Sequence, residues 1–303
     1  AEAAPALRAG GPDDFGYTFK DSSEPGGPSY AWEDIAATGT LVTGWNSYDN
    51  GFAGPIPIGF NFEFYGVSYN QLYVGSNGFV SFGAGFSSIP ASYPLPDLGD
   101  PNNMIALFGG DLYLHDYGQN SAVRYQTLGN PTRLIVQFDR LSWCCNAGAE
   151  HTFQMALYPN GDIEARYKQL SNSTPRVVGI ENANGSVGLN YGNALDNGLA
   201  IRYSYPTGVL LMPPEQDNFG RRGAEIRYSV RVTNHTGSPD SFELAVQSGN
   251  DWPTTLSISQ TGTLADGASM QFDAWVTIPA GAAVGDIGQS TIEATSATSP
   301  TVR

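Results

Sequence analysis

Residues 70–83 read "NQLYVGSNGFVSFG", with Asn77-Gly78 between two runs that mix aromatic and β-branched side chains. An Asn-Gly pair accepts positive φ at both central positions of a type I′ turn, whose twist matches that of two antiparallel strands. A two-residue Asn77-Gly78 loop sets Tyr73 opposite Phe82 and Gly75 opposite Val80. Cross-strand pairs of this kind each stabilise a sheet by roughly 0.2–1 kcal/mol. The stretch therefore predicts a β-hairpin.

The same texture extends on both sides. Strand-like runs, "TGTLVTG", "IGFNFEFYG", "MIALFGGDLYL", "SAVRYQTL", "RLIVQFDRL", "RVVGIEN" and "LAIRY", are separated by Gly, Pro, Asn or Asp. "TFQMALYPNGDIEARY" is a second hairpin around Pro-Asn-Gly-Asp. None of these runs carries a 3.6-residue apolar period. Long loops are expected at 46–57 and 84–103. From residue 225 the alternation becomes regular, with Ile226, Tyr228, Val230 and Val232 on one face and Arg227, Ser229, Arg231 and Thr233 on the other. Phe242, Leu244 and Val246 repeat it, as do Met270, Phe272, Ala274, Val276 and Ile278. Period-two patterning with one polar face suits a two-sheet sandwich.

Composition agrees. Of 303 residues only 14% are charged, while Gly numbers 37, Tyr 16 and Phe 15. That mixture suits short strands and tight turns, and a chain of this length predicts two domains. The net charge of −15 repels phosphate backbones and anionic lipid heads. Nucleic acid and membrane surfaces are accordingly excluded as expected partners. No apolar run reaches the 18 or so residues that span a bilayer. The opening "AEAAPALRAGG" reads as a mature terminus left after signal removal, or as a linker, and either places the protein outside the cytoplasm.

Residues around 56–83 and 104–203 resemble the nidogen-like extracellular domain, through "IPIGFNFEFYGVSYNQLYVGSNGFVSFG", "MIALFGGDLYL" and "FQMALYPNGDIEARY". "GGPDDFGYTFKDSSEPGGPSYAWEDI" resembles the lead-in to that module in secreted bacterial proteins. One departure is Phe108 where members of the family usually carry Trp ahead of the "GGDL" segment. Residues 209–300 resemble the immunoglobulin-like modules appended to secreted bacterial glycosidases and subtilisin-like peptidases, through "YSVRVTNHTGSPDSFELAV", "DWPTTLS" and "LADGASMQFDAWVTIPAGAAVGD". The expected architecture is all-β, two β-sandwich domains in tandem. Residues 1–12 form an extension, 13–204 the nidogen-like sandwich, 205–208 a linker and 209–303 the immunoglobulin-like sandwich. The resemblances imply an extracellular setting, modules that space, display or adhere, and no catalysis.

Candidate chemistry is sparse. "DGASMQF" resembles the segment carrying the serine nucleophile of subtilisin-like peptidases, but a nucleophile needs a His base and an orienting acid. Ser269 also begins a strand, which explains it as a sheet residue. Asp111 and Asp116 flank His115 in "GGDLYLHDYG", the place where a carboxylate site could form. The two cysteines are adjacent in "SWCCNAG", so they cannot staple distant segments or complete a zinc site. A Cys144–Cys145 disulfide is expected, with a reduced pair, an intermolecular bridge or a redox role as alternatives. Calcium is the expected inorganic ligand if there is one, with Asp21, Glu24 and Asp34 in the lead-in as its ligands; turn and cap hydrogen bonds are the alternative role for those carboxylates. Trp275, on the polar face of its strand, is the candidate exposed aromatic contact, and Trp252 is assigned to packing. Asn172, Asn184 and Asn234 match the N-glycosylation pattern.

Three functions fit these features: a surface or filament subunit, the accessory region of a secreted peptidase or glycosidase, and a module that binds glycans or matrix protein. For the first, the resemblance to appended modules implies one more sandwich strand past "ATSATSP", which is expected to come from elsewhere, and the N-terminal segment is too short and too apolar-poor to fold alone. Strand addition between neighbours would join these ends, Ala4, Ala6 and Leu7 filling pockets, and would build a homopolymer.

Overall fold

In the computed structural model, strands and turns account for the described residues (8–89, 94–114, 120–144, 149–171, 177–213, 215–247 and 251–299), with no helix among them. Among the described residues no helix is long and apolar enough to cross a membrane. The contacts divide the chain into two compact units, Ala1–Tyr205 and Pro206–Arg303.

The first unit opens with β1 (Ala9–Gly10), β2 (Thr18–Asp21), β3 (Thr40–Leu41), β4 (Phe52–Phe64) and β5 (Val67–Gly75). Then come β6 (Phe79–Ser81), β7 (Met104–Gly109), β8 (Leu112–Tyr113), β9 (Ala122–Leu128) and β10 (Arg133–Trp143). It closes with β11 (Glu150–Leu157), β12 (Ile163–Gln169), β13 (Val177–Glu181), β14 (Gly188–Asn190) and β15 (Leu199–Ser204). One sheet runs β1-β2-β15-β12-β11-β10-β9-β3, with β8 beside the end of β10; the other runs β14-β13-β7-β6-β5-β4.

The sheets meet through one apolar core. Leu134, Val136, Phe138, Phe153, Met155 and Ile201 come from the first sheet, and Phe62, Phe64, Val74, Val80 and Leu107 from the second. Each such side chain contributes roughly 1.5–3 kcal/mol on burial. The Tyr167 hydroxyl on β12 donates to the Leu107 carbonyl of β7 at 2.6 Å, tying the layers together. Outer faces are covered as well. Phe79, Met104, Ala106 and Val177 pack under Ile89 and Leu95 of the loop before β7. This two-sided burial is why "MIALFG" is uniformly apolar and does not alternate.

The opening hairpin is present, with one more residue in its loop than expected. Tyr73 pairs with Ser81, Val74 with Val80 and Gly75 with Phe79, which leaves Ser76, Asn77 and Gly78 in the turn. Gly78 carries the positive φ of 79°, and its N–H donates to the Gly75 carbonyl at 3.3 Å. This is the three-residue turn closed by a left-handed glycine. Phe79 lies over Gly75, and Phe82 stacks on Tyr69 with ring centroids 4.8 Å apart. The second hairpin uses the same device, with Gly161 at φ 87° and Tyr158 N–H bonded to Asp162 O at 3.0 Å.

Two expected loops and extensions are structured. Strand β4 begins at Phe52, inside the stretch 46–57 expected as loop, and tolerates Pro55 and Pro57 because it is the edge of its sheet. Ala9 and Gly10, expected in the extension, pair with Lys20 and Phe19.

The second unit contains β16 (Gly208–Met212), β17 (Glu225–His235), β18 (Phe242–Val246), β19 (Thr254–Leu256), β20 (Ser269–Thr277) and β21 (Ile292–Ser296). Sheets β16-β17-β20-β19 and β18-β21 enclose Val230, Val232, Phe242, Leu244, Phe272 and Ala294. The alternation along β17, β18 and β20 places these residues inward, as their period of two requires.

Candidate functional site

Several residues of interest in the sequence converge where the loop before β4, the turn between β7 and β8 and the end of β10 meet. Asp49 pairs with Tyr113, Trp143 pairs with Leu112, and Cys144 N–H donates to the Asp111 carbonyl at 2.8 Å. These main-chain links bring one ligand atom each from Asp49, Asp111 and Cys144 within 4.8 Å of one another. Cys144 Sγ is 3.9 Å from Asp49 Oδ2. Burial, and then the charge of Asp111, push the Asp49 carboxyl above its ordinary range. Cys144 is disulfide-bonded, so its sulfur is no thiolate ligand. The cluster then offers two carboxylates and no sulfur ligand. Cys145, His115 and Asp116 lie outside the described residues.

Behind this cluster His151 is fully buried, its ring 4.5 Å from that of Phe108 and 5.7 Å from that of Trp143. Phe108 thus fills the position where the resemblance expects Trp. His151 Nε2 is 3.2 Å from Ser171 Oγ, while Nδ1 has no partner. Burial lowers the imidazole pKa to about 4. A neutral ring with so low a basicity and no orienting carboxylate is a poor general base. Ser269 is bonded through Oγ to Thr233 Oγ1 at 2.9 Å, its cross-strand partner, which is a sheet contact and not an activated nucleophile.

The structure does not gather the carboxylates expected to hold calcium. Asp21 is fully buried and accepts from Tyr191 OH at 2.7 Å, Ser23 N–H at 2.7 Å and Arg8 Nη1 at 3.2 Å. Glu24 Oε1 accepts from Arg8 N–H at 3.2 Å. The guanidinium supplies the positive charge that an ion would otherwise bring. Asp34 lies elsewhere, bonded to Ala36 N–H, Gln137 Nε2 and Lys168. Its carboxyl is held below the usual range by the Ala36 N–H first and Gln137 next.

Other expected contacts separate clearly. Trp275 is half-buried on the outer face of its sheet, between Arg227 and Thr255. Trp252 packs flat on Gly288, where a Cβ would fall 2.2 Å from the indole. Asn234 is buried and spends its amide on Ser238, Leu264 and Thr236, so it is a structural residue and no glycan acceptor in the folded chain. Asn184 is exposed on a turn, and Asn172, like Ala4, Ala6 and Leu7, lies outside the described residues.

A groove of about 490 Å³ opens on the β4–β5 face, lined by Pro55, Pro57, Gly59, Phe60, Asn61, Asn70 and Gln71. It contains no carboxylate, so the concave surface and the acidic pair do not coincide. Sequence reasoning missed it because its prolines read as loop.

Residues 16–207 match the family described as NIDO related. The chain belongs to this nidogen-related family, whose domain is of an extracellular, structural or adhesive type and is typically non-enzymatic. No curated protein matches the chain.

Proposed function

We propose that the chain is a non-catalytic structural and adhesive protein of the cell exterior, assembled into a filament by strand addition between copies. Its second unit is read as an immunoglobulin-like sandwich that receives the added strand. The observation that carries this reading is the outer edge of β21. Ala297 N–H donates to Ser241 O and Gln247 N–H to Thr291 O, so the odd-numbered residues of this segment face β18. The N–H and C=O groups of Ile292, Ala294 and Ser296 consequently point away from β18. Among the described residues no strand pairs with them. Such an edge, next to the core around Phe242 and Ala294, is a template for an added strand.

The donor in this reading is the N-terminal segment of a neighbouring copy, with Ala4, Ala6 and Leu7 filling pockets. Arg8, Ala9 and Gly10 are engaged on their own unit, so the donor ends before Arg8. A head-to-tail contact of this kind propagates unless its rotation happens to close. Electron micrographs of the concentrated chain should show filaments, and deletion of residues 1–7 should leave a folded monomer. Filaments from the truncated chain, or an intact chain that stays monomeric at high concentration, exclude the mechanism.

A second reading, glycan binding, is supported by the groove around Phe60, where one ring sits among three primary amides. A glycan array probed with the chain and with Phe60→Ala tests it; signal unchanged by the substitution removes the groove from consideration.

A further inference from the structure

The turn between β13 and β14 closes over the loop that leads into β7, and two buried side-chain oxygens without donors lie on these segments. Glu181, the last residue of β13, has no exposed surface. Its Oε2 accepts from Asp97 N–H at 3.0 Å, while its buried Oε1 has no partner. Asn102 Oδ1 is likewise buried and unpartnered. The other end of that amide donates from Nδ2 to Asp100 Oδ1 at 3.3 Å, which turns Oδ1 inward. Gly185 marks the meeting point, since a Cβ there would lie 1.9 Å from the Asp97 carbonyl oxygen and 2.2 Å from Asn102 Oδ1. With φ at +65° and two oxygens this close, the position admits only glycine.

No lysine or arginine forms an ion pair with Glu181, Asp97 or Asp100 among the described residues. The contrast with Asp21, another fully buried carboxylate, is direct, because Arg8 neutralises that one. An unpaired buried carboxylate oxygen and an unpaired buried amide oxygen are each costly unless a donor or a positive species meets them.

We propose that this cluster is a calcium site, with Glu181, Asn102 Oδ1 and the Asp97 carbonyl as protein ligands. The donors are all hard oxygens from loops of an extracellular β-protein, which is the ligand set calcium selects, and water fills the remaining positions. The ion ties the end of β13, the 182–187 turn and the loop before β7 into one unit. It thereby fixes the cover over Phe79, Met104 and Val177.

The test is calcium titration of the full chain by calorimetry, with thermal melting in calcium and in chelator. Extracellular calcium modules bind with Kd of about 10⁻⁴–10⁻³ M, and saturable binding of one ion in that range is expected. Glu181→Gln and Asn102→Ala should each weaken it at least about tenfold, and Asp34→Asn should leave it unchanged. If Glu181→Gln does not fold, Asn102→Ala, on the half-exposed loop, still decides. Identical melting of the wild type in calcium and in chelator overturns the proposal, as does full affinity in both variants. A wild type indifferent to calcium but stabilised by acidification towards pH 5 also overturns it, and assigns the cluster to a proton shared by Glu181 and Asn102.

Discussion

Gln137 on β10 and Gln154 on β11 are cross-strand partners, and together their side chains hold the segment that crosses the outer face of the first sheet. Gln154 Oε1 accepts from Glu33 N–H at 3.2 Å and Nε2 donates to Glu33 O at 3.1 Å. Gln137 Oε1 accepts from Ile35 N–H at 3.0 Å. Two primary amides thus stand in for a strand edge, and Ile35 is pressed onto Ile135 and Ala156 beneath. Glu33 adds ion pairs to Arg133 and Arg166.

Gln137→Ala strands the buried Ile35 N–H, which costs about 1–3 kcal/mol, and Gln154→Ala strands the half-buried Glu33 N–H at a smaller cost. Urea unfolding should register that loss for Gln137→Ala and for Gln154→Ala. Hydrogen exchange at Glu33 and Ile35 should accelerate selectively. The double variant should lose less than the sum, because both side chains serve one segment. Additive losses with unchanged exchange at 33–35 would refute the strap.

Gly78 should resist substitution more than an equally left-handed glycine in open space. A Cβ at Gly78 would fall 2.5 Å from the Phe108 carbonyl oxygen, whereas at Gly198, with φ +81°, nothing lies within 4 Å. Left-handed backbone costs a non-glycine residue roughly 1–2 kcal/mol. Gly198→Ala should show that cost alone, and Gly78→Ala should exceed it by at least about 1 kcal/mol as the hairpin shifts from β7. Equal losses by chemical denaturation would mean the close approach is relieved freely.

The chain has two cysteines, and Cys144 is disulfide-bonded. We expect its partner to be Cys145. Under denaturing, non-reducing conditions the chain should run as a monomer and take up no alkylating reagent, and after reduction it should gain two groups by intact mass. A non-reducible monomer with two alkylated thiols, or a reducible dimer, would rule the adjacent pairing out.

Much of the fold was legible because it rests on short-range rules. The turn glycines, the period of two around Val230 and Phe272, and the apolar runs each imply their local structure. What was not legible depends on distant partners. Asn77-Gly78 looks the same whether the loop holds two residues or three, since glycine alone takes the left-handed position. Pro55 and Pro57 read as loop because nothing local marks an edge strand. Arg8 lies 13 residues before Asp21, and nothing local marks it as the cation that this carboxylate meets. Asp97, Asn102 and Glu181 lie too far apart in sequence to suggest one site.

The buried imidazole of His151 gives the chain a stability that depends on pH, with a calculable sign. Its pKa in the folded protein is lowered to about 4 by burial, below the ordinary 6.5. Between those values the unfolded chain binds a proton that the folded chain does not, so stability is lost as pH falls through that window. Below about pH 4 both states are protonated and the loss stops growing. The ring is fully buried, with Phe108, Trp143 and Ser171 around it, so solvent screens it little. The difference corresponds to at most about 3 kcal/mol. Raised carboxyl groups such as Asp13 and Asp139, both shifted up by burial first, act in the opposite direction over acidic pH. The diagnostic quantity is therefore the difference between wild type and His151→Phe. The wild-type urea midpoint should fall relative to that of the variant between pH 7 and pH 4, because the wild type loses stability there that the variant cannot lose. Midpoints that stay parallel across that range would show that His151 keeps an ordinary pKa and that the pocket behind Cys144 admits water.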